Sequence, residues 1–350
     1  MYETMYIDAD TPLFKAAKSV QTDYIVASHK ESGWSERFKN KTALWGHHSK
    51  KEGGWLAIRN KSYSDDVWLP EDLEVEECAE LNTELTDHLE QAMIQFNGFI
   101  GKMKRLEFAK DYVLFIGGEG NFRYDSAKLQ PYKGQRKDKP LIFHELKMKV
   151  IQQYGKRVVL ANGVEADDLC GIVGWDNFLN FRKTGIWRDC IGFVDKDLKM
   201  ICSPSFNYDD KSPEIVIPTV MDCARHFCEQ LLSGDQATDN ILGLPNFTPA
   251  MQEKYEVGRT RGIGAATASR FLRTCESPKE LYERVLEAYK DYYGVEKEKL
   301  EGFRGESLEW NYLDYIDESA KLLWMKRHLD DDFNIRDRLK AMKIEFEDCS

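Results

Sequence analysis

No apolar run in the 350 residues approaches the roughly 18 needed to cross a bilayer, which excludes a spanning helix. The opening Met1-Tyr2-Glu3-Thr4-Met5-Tyr6-Ile7-Asp8 has neither a basic region nor a long apolar core, so no signal peptide is expected there. Eight cysteines, at 78, 170, 190, 202, 223, 228, 275 and 349, never form a Cys-x-x-Cys pair. They read as reduced thiols of a cytoplasmic protein without a zinc site. His47-His48 reads as a loop pair, because adjacent residues rarely converge on one ion. Internal repeats and low-complexity tracts are also missing. What remains, 42% hydrophobic and 12% aromatic, is the composition of a globular chain long enough for two packed domains.

A net charge of −11 speaks at first against a polyanionic partner. The average hides two basic segments. Residues 128–157 carry nine Lys and Arg against two acids, or +7, and residues 37–61 carry seven against one, or +6. Basic segments in an acidic chain with clustered carboxylates suggest a track for phosphates leading to metal ions.

Three acids in four positions fall in Val164-Glu165-Ala166-Asp167-Asp168-Leu169. This stretch follows an apolar strand, Val158 to Leu160, and precedes an apolar helix start, Leu169 to Val173. On a helix, Glu165 and Asp168 share a face, with Asp167 about a quarter-turn away. Carboxylates packed this closely repel one another, and a hard divalent cation removes the conflict. The plainer alternative is an acidic first turn that suits the helix dipole.

Other acids recur at element ends. The strand Tyr6-Ile7 runs into Asp8-Ala9-Asp10, whose acids point to one side if extended. Thr11-Pro12 then opens a helix through Lys18, with Thr as cap. Residues 28–75 hold Trp34, Trp45, Trp55 and Trp68, and read either as a base-stacking basic stretch or as a surface insertion whose tryptophans pack on the core. Leu85, Leu89, Met93 and Phe96 give helical spacing from about Leu81 to Phe108. A strand from Tyr112 to Ile116 delivers Gly117-Gly118-Glu119, and Leu141 to Gln153 reads as a helix. Ile191 to Val194 ends in Asp195-Lys196-Asp197, and strand-like Glu214 to Ile217 follows. A helix from Thr219 to Leu232 closes on Gly234-Asp235-Gln236-Ala237-Thr238-Asp239-Asn240. Gly262-Ile263-Gly264 opens another helix, whose free N–H groups could take a DNA phosphate. The run Asp330-Asp331-Asp332 reads as solvated surface.

With these motifs in this order, the chain resembles the 5′-nuclease (flap endonuclease-like) superfamily, most closely the 5′→3′ exonucleases of short-tailed bacteriophages. The resemblance covers about residues 5–20 and 112–325. Glu165-Ala166-Asp167-Asp168 is similar to the family's Glu-x-Asp-Asp, Asp195-Lys196-Asp197 to its Asp-x-Asp, and Gly234-Asp235…Asp239-Asn240 to its Gly-Asp…Asp-Asn, with one extra residue. Tyr132-Lys133-Gly134-Gln135-Arg136 resembles the segment that meets the scissile phosphate, and Gly262-Ile263-Gly264 the helix–hairpin–helix clamp. Gly118 falls where relatives carry a metal-binding Asp, with Glu119 next door as substitute, and the link from Asn240 to Gly262 is long.

The resemblance implies an α/β fold with a mostly parallel, twisted central sheet flanked by helices, and a C-terminal helical region. It implies a nuclease core over 1–217, with 28–80 inserted, and a DNA clamp over 218–350. The implied activity is Mg²⁺- or Mn²⁺-dependent 5′→3′ hydrolysis of DNA by two metal ions, giving 5′-phosphorylated products, in phage DNA replication, recombination or host DNA breakdown. Alternatives are a structure-specific flap endonuclease or RNase H removing RNA primers, and a DNA-binding protein with an impaired site. Asp8, Glu119, Glu165 and Asp167 are expected at the first ion, and Asp168, Asp195, Asp197 and Asp235 at the second. Asp10 and Asp239 are expected in the outer shell. Lys133 and Arg136 would neutralise the attacked phosphate, Tyr132 would stack on the terminal base, and K⁺ could sit at Gly262-Ile263-Gly264. Expected partners are duplex ends, 5′ flaps and RNA–DNA hybrids, in a host cytoplasm if the gene is a phage's, and no membrane.

Overall fold

The computed structural model describes residues 1–47, 52–82, 84, 86–259 and 261–348. His48, Lys50, Lys51, Leu85 and Cys349, used in the readings above, lie outside these. In chain order the first elements are β1 (Tyr2–Asp8), α1 (Asp10–Lys18), β2 (Gln21–His29), β3 (Ser35–Phe38) and α2 (Lys41–Trp45). Next come β4 (Gly46–His47), β5 (Glu52–Gly53), α3 (Trp55–Ser62), β6 (Leu73–Leu81), α4 (His88–Arg105), β7 (Ala109–Gly117) and α5 (Phe122–Ser126). The middle of the chain forms α6 (Phe143–Tyr154), β8 (Val158–Ala161), α7 (Ala166–Thr184), β9 (Cys190–Phe193) and β10 (Ser205–Asn207). The remainder is α8 (Val220–Ser233), α9 (Pro249–Tyr255), α10 (Ala265–Leu272), α11 (Pro278–Tyr293), β11 (Glu298–Glu301), β12 (Ser307–Trp310), α12 (Tyr312–Leu323) and α13 (Ile335–Ala341).

Two compact units result: Met1–Thr11 with Met103–Asp138 and Tyr154–Ser350, and Pro12–Lys102 with Lys139–Gln153. The first contains a five-stranded sheet in the order β10-β9-β1-β7-β8, every pair parallel. That is the expected α/β architecture. β9, Cys-Ile-Gly-Phe, is buried at all four positions, as a strand covered on both faces must be. β1 lies between β7 and β9, and the chain reverses its direction of travel across the sheet there. Side chains at the carboxyl ends of β1 and β9 therefore flank the crevice where open α/β sheets bind ligands. α7 packs on β1, β7, β8 and β9. Gly174 permits this: a Cβ there would meet Ile201 Cγ2 at 2.2 Å and Ile191 Cδ1 at 3.0 Å.

Residues 218–350 fall in this same unit, where α8, α10, α11 and α12 share a core built on Phe227, Leu231, Phe271, Leu281 and Leu323. Thr219 caps α8 and accepts from Asp222 N–H at 3.1 Å. The strand-like Glu214 to Ile217 makes only a bridge, Ser205 to Val216.

In the second unit β2 pairs antiparallel with β3 and β6. Leu81, expected to start a helix, instead ends β6, because Leu73–Leu81 finds nine partners along β2. Trp34, Trp45, Trp55 and Trp68 pack around Phe38, Leu44 and Leu56 in a small core, which selects the core-packing alternative for residues 28–75. α1 begins at Asp10, one residue before the expected cap Thr11. All seven described cysteines are free thiols, and no described helix is long and apolar enough to cross a membrane.

Candidate metal centre

Asp8 closes β1 and is buried, with Tyr208 Oη donating to its carbonyl at 2.9 Å. Asp10 N–H donates to Asp8 Oδ1 at 3.1 Å, and Gly117 N–H at the end of β7 donates to Asp10 Oδ1 at 2.9 Å. Burial, then the Asp10 carboxylate, then Asp195 and Glu165, push the Asp8 carboxyl up to about 8 against the Asp10 N–H bond.

The Glu165–Asp168 turn divides its labour. Glu165 precedes α7, and its N–H donates to Asp168 Oδ2 at 3.1 Å. Asp168 is 0% exposed and holds Arg123 bidentately, at 2.6 Å to Nη1 and 2.9 Å to Nη2. Arg123 Nε and Nη2 also donate to the carbonyls of Leu322 and Trp324, at 2.8 and 2.7 Å. Asp168 is thus committed to a buried strut tying α5, α7 and the end of α12 together. This corrects its expected place as a ligand of the second ion. Burial, Glu165 and Asp168 push Asp167 well above the carboxylate range.

Glu165 meets the basic loop. Tyr132 Oη lies 2.8 Å from Glu165 Oε2 and 3.1 Å from Asp239 Oδ2, and the Lys133 ammonium pairs with Glu165 Oε1. Burial raises the Glu165 carboxyl, but Lys133, Arg123 and the Tyr132 hydroxyl outweigh it and hold it low. Lys133 adopts a left-handed backbone, φ 56°, and its N–H donates to the Asp239 carbonyl at 2.8 Å. Arg136 Nη2 is 2.5 Å from Asp239 Oδ1. Tyr132 is only 4% exposed, so it has no ring face for an unpaired base. Its expected stacking role is replaced by that of a spacer between two carboxylates.

On the other side of the crevice Asp197 N–H donates to Asp195 Oδ1 at 2.9 Å. Burial raises Asp195, with Asp239 adding to it. Burial, Asp195 and more weakly Asp235 push Asp197 up to about 7, although Gln230 Nε2 and Lys196 counter them. Lys196 Nζ is 2.9 Å from Asp235 Oδ2. The loop after α8 folds back on itself: Asp235 N–H donates to Ile241 O, and Ile241 N–H returns to Asp235 O. It brings Asp239 under the same crevice, so one oxygen each from the buried Asp197, Asp235 and Asp239 lie within 4.8 Å of one another. Asp239, expected in the outer shell, stands among the innermost acids.

Glu119 is exposed on the turn after β7, where its N–H donates to Asn162 Oδ1 at 3.0 Å. Gly118 cannot carry an acid as the chain stands: a Cβ would meet Asn162 Oδ1 at 2.1 Å and the Ala161 carbonyl at 2.6 Å. Gly262, Ile263 and Gly264 belong to the start of α10, with Ile263 buried in the helical core and Gly264 at the cap.

Arg123, Gln230 and Tyr208 were not legible as site residues. Their partners stand 45, 33 and 200 positions away, and no local spacing announces them. Asp331, expected to be solvated, accepts from Trp324 Nε1 at 2.9 Å and from Arg327 N–H at 2.8 Å.

No family model matches this chain, and no curated protein matches it either. Solved structures similar to it include a mutant T5 5′-exonuclease, at 13% identity over 66% of this chain and 77% of the other, with a TM-score of 0.36. A second is the bacteriophage T5 flap endonuclease in a pseudo-enzyme–product complex with DNA and metal ions, at 13% identity, 56% and 79% coverage and a TM-score of 0.33. A third, a T5 protein co-crystallised with metal ions, gives 14% identity, 66% and 91% coverage and 0.35.

Proposed function

We propose that this chain is a divalent-metal-dependent nuclease that hydrolyses DNA phosphodiester bonds, acting as a 5′→3′ exonuclease of the 5′-nuclease superfamily with 5′-phosphorylated products. The observation that carries this reading is the buried Asp197, Asp235 and Asp239 group, bordered by Lys133 and Arg136. The donor set fits hard cations. Among the described residues nine carboxylates (Asp8, Asp10, Glu165, Asp167, Asp168, Asp195, Asp197, Asp235 and Asp239) gather with four cationic side chains, Arg123, Lys133, Arg136 and Lys196. Excess buried negative charge of this kind is relieved by oxygen-preferring divalent ions.

Asp8, Glu165, Asp167 and Asp195 would hold one ion, and Asp197, Asp235 and Asp239 another, with Asp10 behind them. Bound divalent ions supply a water nucleophile at neutral pH and neutralise charge on the phosphate. The protein's own part is positional. Lys133 and Arg136, paired here with Glu165 and Asp239, can turn to a phosphate and stabilise the charge that develops on it. Burial lowers the Lys133 pKa, but Glu165, Asp239 and Asp167 outweigh it and keep the ammonium charged. The Asp168 strut fixes the first turn of α7, and Tyr132 keeps Glu165 and Asp239 at a set spacing.

The test is digestion of end-labelled duplexes with Mg²⁺, read for product length and starting end. Asp197→Asn should lower the rate by at least a hundredfold, while duplex binding in Ca²⁺ stays within about threefold. Full activity in that variant would remove Asp197 from the chemistry. A second reading, a DNA-binding protein with an impaired site, is favoured by the exposure of Glu119. Mg²⁺-dependent nucleotide release that EDTA stops would eliminate it.

A further inference from the structure

α7 carries the acidic turn at its start and lends Trp175 and Phe178, further along, to the wall of a cavity of about 300 Å³. Cys223 and Ala224 of α8 line it, as does Cys202 in the segment that follows Asp195 and Asp197. Its walls are mostly apolar, and the polar side-chain groups include the guanidinium groups of Arg327 and Arg338, the Tyr282 hydroxyl and the thiols of Cys202 and Cys223. Arg327 is engaged by Asp331, at 3.0 Å from Nε. Among the described residues Arg338 meets no acid, and its guanidinium is hydrogen-bonded only to the Tyr282 side chain. Its guanidinium lies 5.7 Å from the Tyr282 ring centroid and 5.6 Å from that of Trp324, and its Nε is buried without a hydrogen-bond partner among the described residues. A buried N–H left unpaired is costly, and an anionic oxygen would complete it.

We propose that this cavity binds a small aromatic monocarboxylate, the ring system lying among Trp175, Phe178 and Trp324 and the carboxylate meeting Arg338. The volume sits at the lower end of the roughly 300–1,000 Å³ of ligand pockets, which suits one or two fused rings. A nucleotide is disfavoured, because its sugar hydroxyls would face mostly apolar walls unpaired. The cavity backs onto the acidic cluster. Trp324 O accepts from Arg123, and Lys326 N–H donates to Asp168 Oδ1 at 3.2 Å. A ligand that fixes Trp324 therefore fixes the strut beneath the first turn of α7, whatever reaction that turn serves.

The experiment titrates the full chain with 1-naphthoate, followed by calorimetry and by the rate at which iodoacetamide alkylates Cys202, with Cys78 as internal reference. Saturable one-to-one binding is expected, with Cys202 alkylation slowed at least tenfold and Cys78 unchanged. Arg338→Met should weaken 1-naphthoate at least tenfold and leave 1-naphthylmethanol unaffected, and Ala224→Leu should abolish binding of both. Absence of saturable binding, or binding indifferent to Ala224→Leu, overturns the site. Equal affinity of the unaltered protein for the acid and the alcohol overturns the role of Arg338, and this comparison decides the matter even if Arg338→Met does not fold.

Discussion

Arg123 and Asp168 show how the acidic turn can be crowded and still folded. Asp168 is fully buried, and Arg123 meets both of its oxygens, gives two further donors to carbonyls and faces Glu165 with Nη1 at 3.5 Å. Breaking such a pair by removing one partner typically costs about 3–5 kcal/mol, because a charge is left buried alone. Arg123→Met should therefore destabilise by about that much in urea titrations, and Arg123→Met with Asp168→Leu should recover most of it. Equal losses in the single and double variants would show that the strut matters through its carbonyl contacts instead. Asp8 and Asp197 are the opposite case, acids without such a partner. Their folded pKa values, about 8 and about 7, lie above the unfolded carboxylate value of 3.8. Between those limits the folded chain holds protons that the unfolded chain has released, so stability falls as pH rises through the folded values. In EDTA the melting temperature should drop from pH 6 to pH 9. With divalent cation bound, the slope should flatten. A rise over the same range without metal would contradict the burial of these two acids.

The junction of β7 and β8 limits what can be exchanged at the crevice. Gly118 N–H donates to the Ala161 carbonyl at 2.8 Å, so the two strand ends stay paired where a side chain would have to emerge. Restoring the acid that the family resemblance expects, Gly118→Asp, should therefore cost about 1–3 kcal/mol through overpacking and should not raise activity. Chemical denaturation beside a nuclease assay checks both halves, and a stable, more active variant would sink the steric argument. Four of the parallel strands were legible because each is an apolar run with an acid at its end or within four residues beyond it, as at Tyr6-Ile7-Asp8 and Phe193-Val194-Asp195. Spacing also placed Asp197, Asp235 and Asp239 among the candidates. What it could not show was which acid is neutralised by a neighbour. Asp167 and Asp168 are adjacent in sequence, yet only Asp168 meets Arg123, through a turn whose partners lie 45 and about 200 positions apart. Tyr132 misled for a similar reason, since an aromatic beside Lys133 reads as a stacking platform until its burial is known. The tryptophans of residues 28–75 gave no periodicity because they come from two helices and two loops around one small core.

The two compact units place the acids and the tryptophan core in different parts of the molecule. Every carboxylate of the crevice belongs to the unit that holds the parallel sheet, and none to the unit built on β2, β3 and β6. A net charge of −11 would favour loose uptake of divalent cations over the whole surface. Specific binding would act differently, since a ligand stabilises the segments it holds in proportion to its occupancy. Hydrogen exchange followed by mass spectrometry separates the two. Adding Mn²⁺ at concentrations that support hydrolysis should slow exchange in residues 165–172, 193–200 and 233–241, each by at least tenfold. Exchange along β2 and β6 should remain within twofold of the metal-free rate. Uniform slowing of both units would mean that the ions bind the acidic surface at large, and the Asp197, Asp235 and Asp239 group would lose its standing as a metal centre.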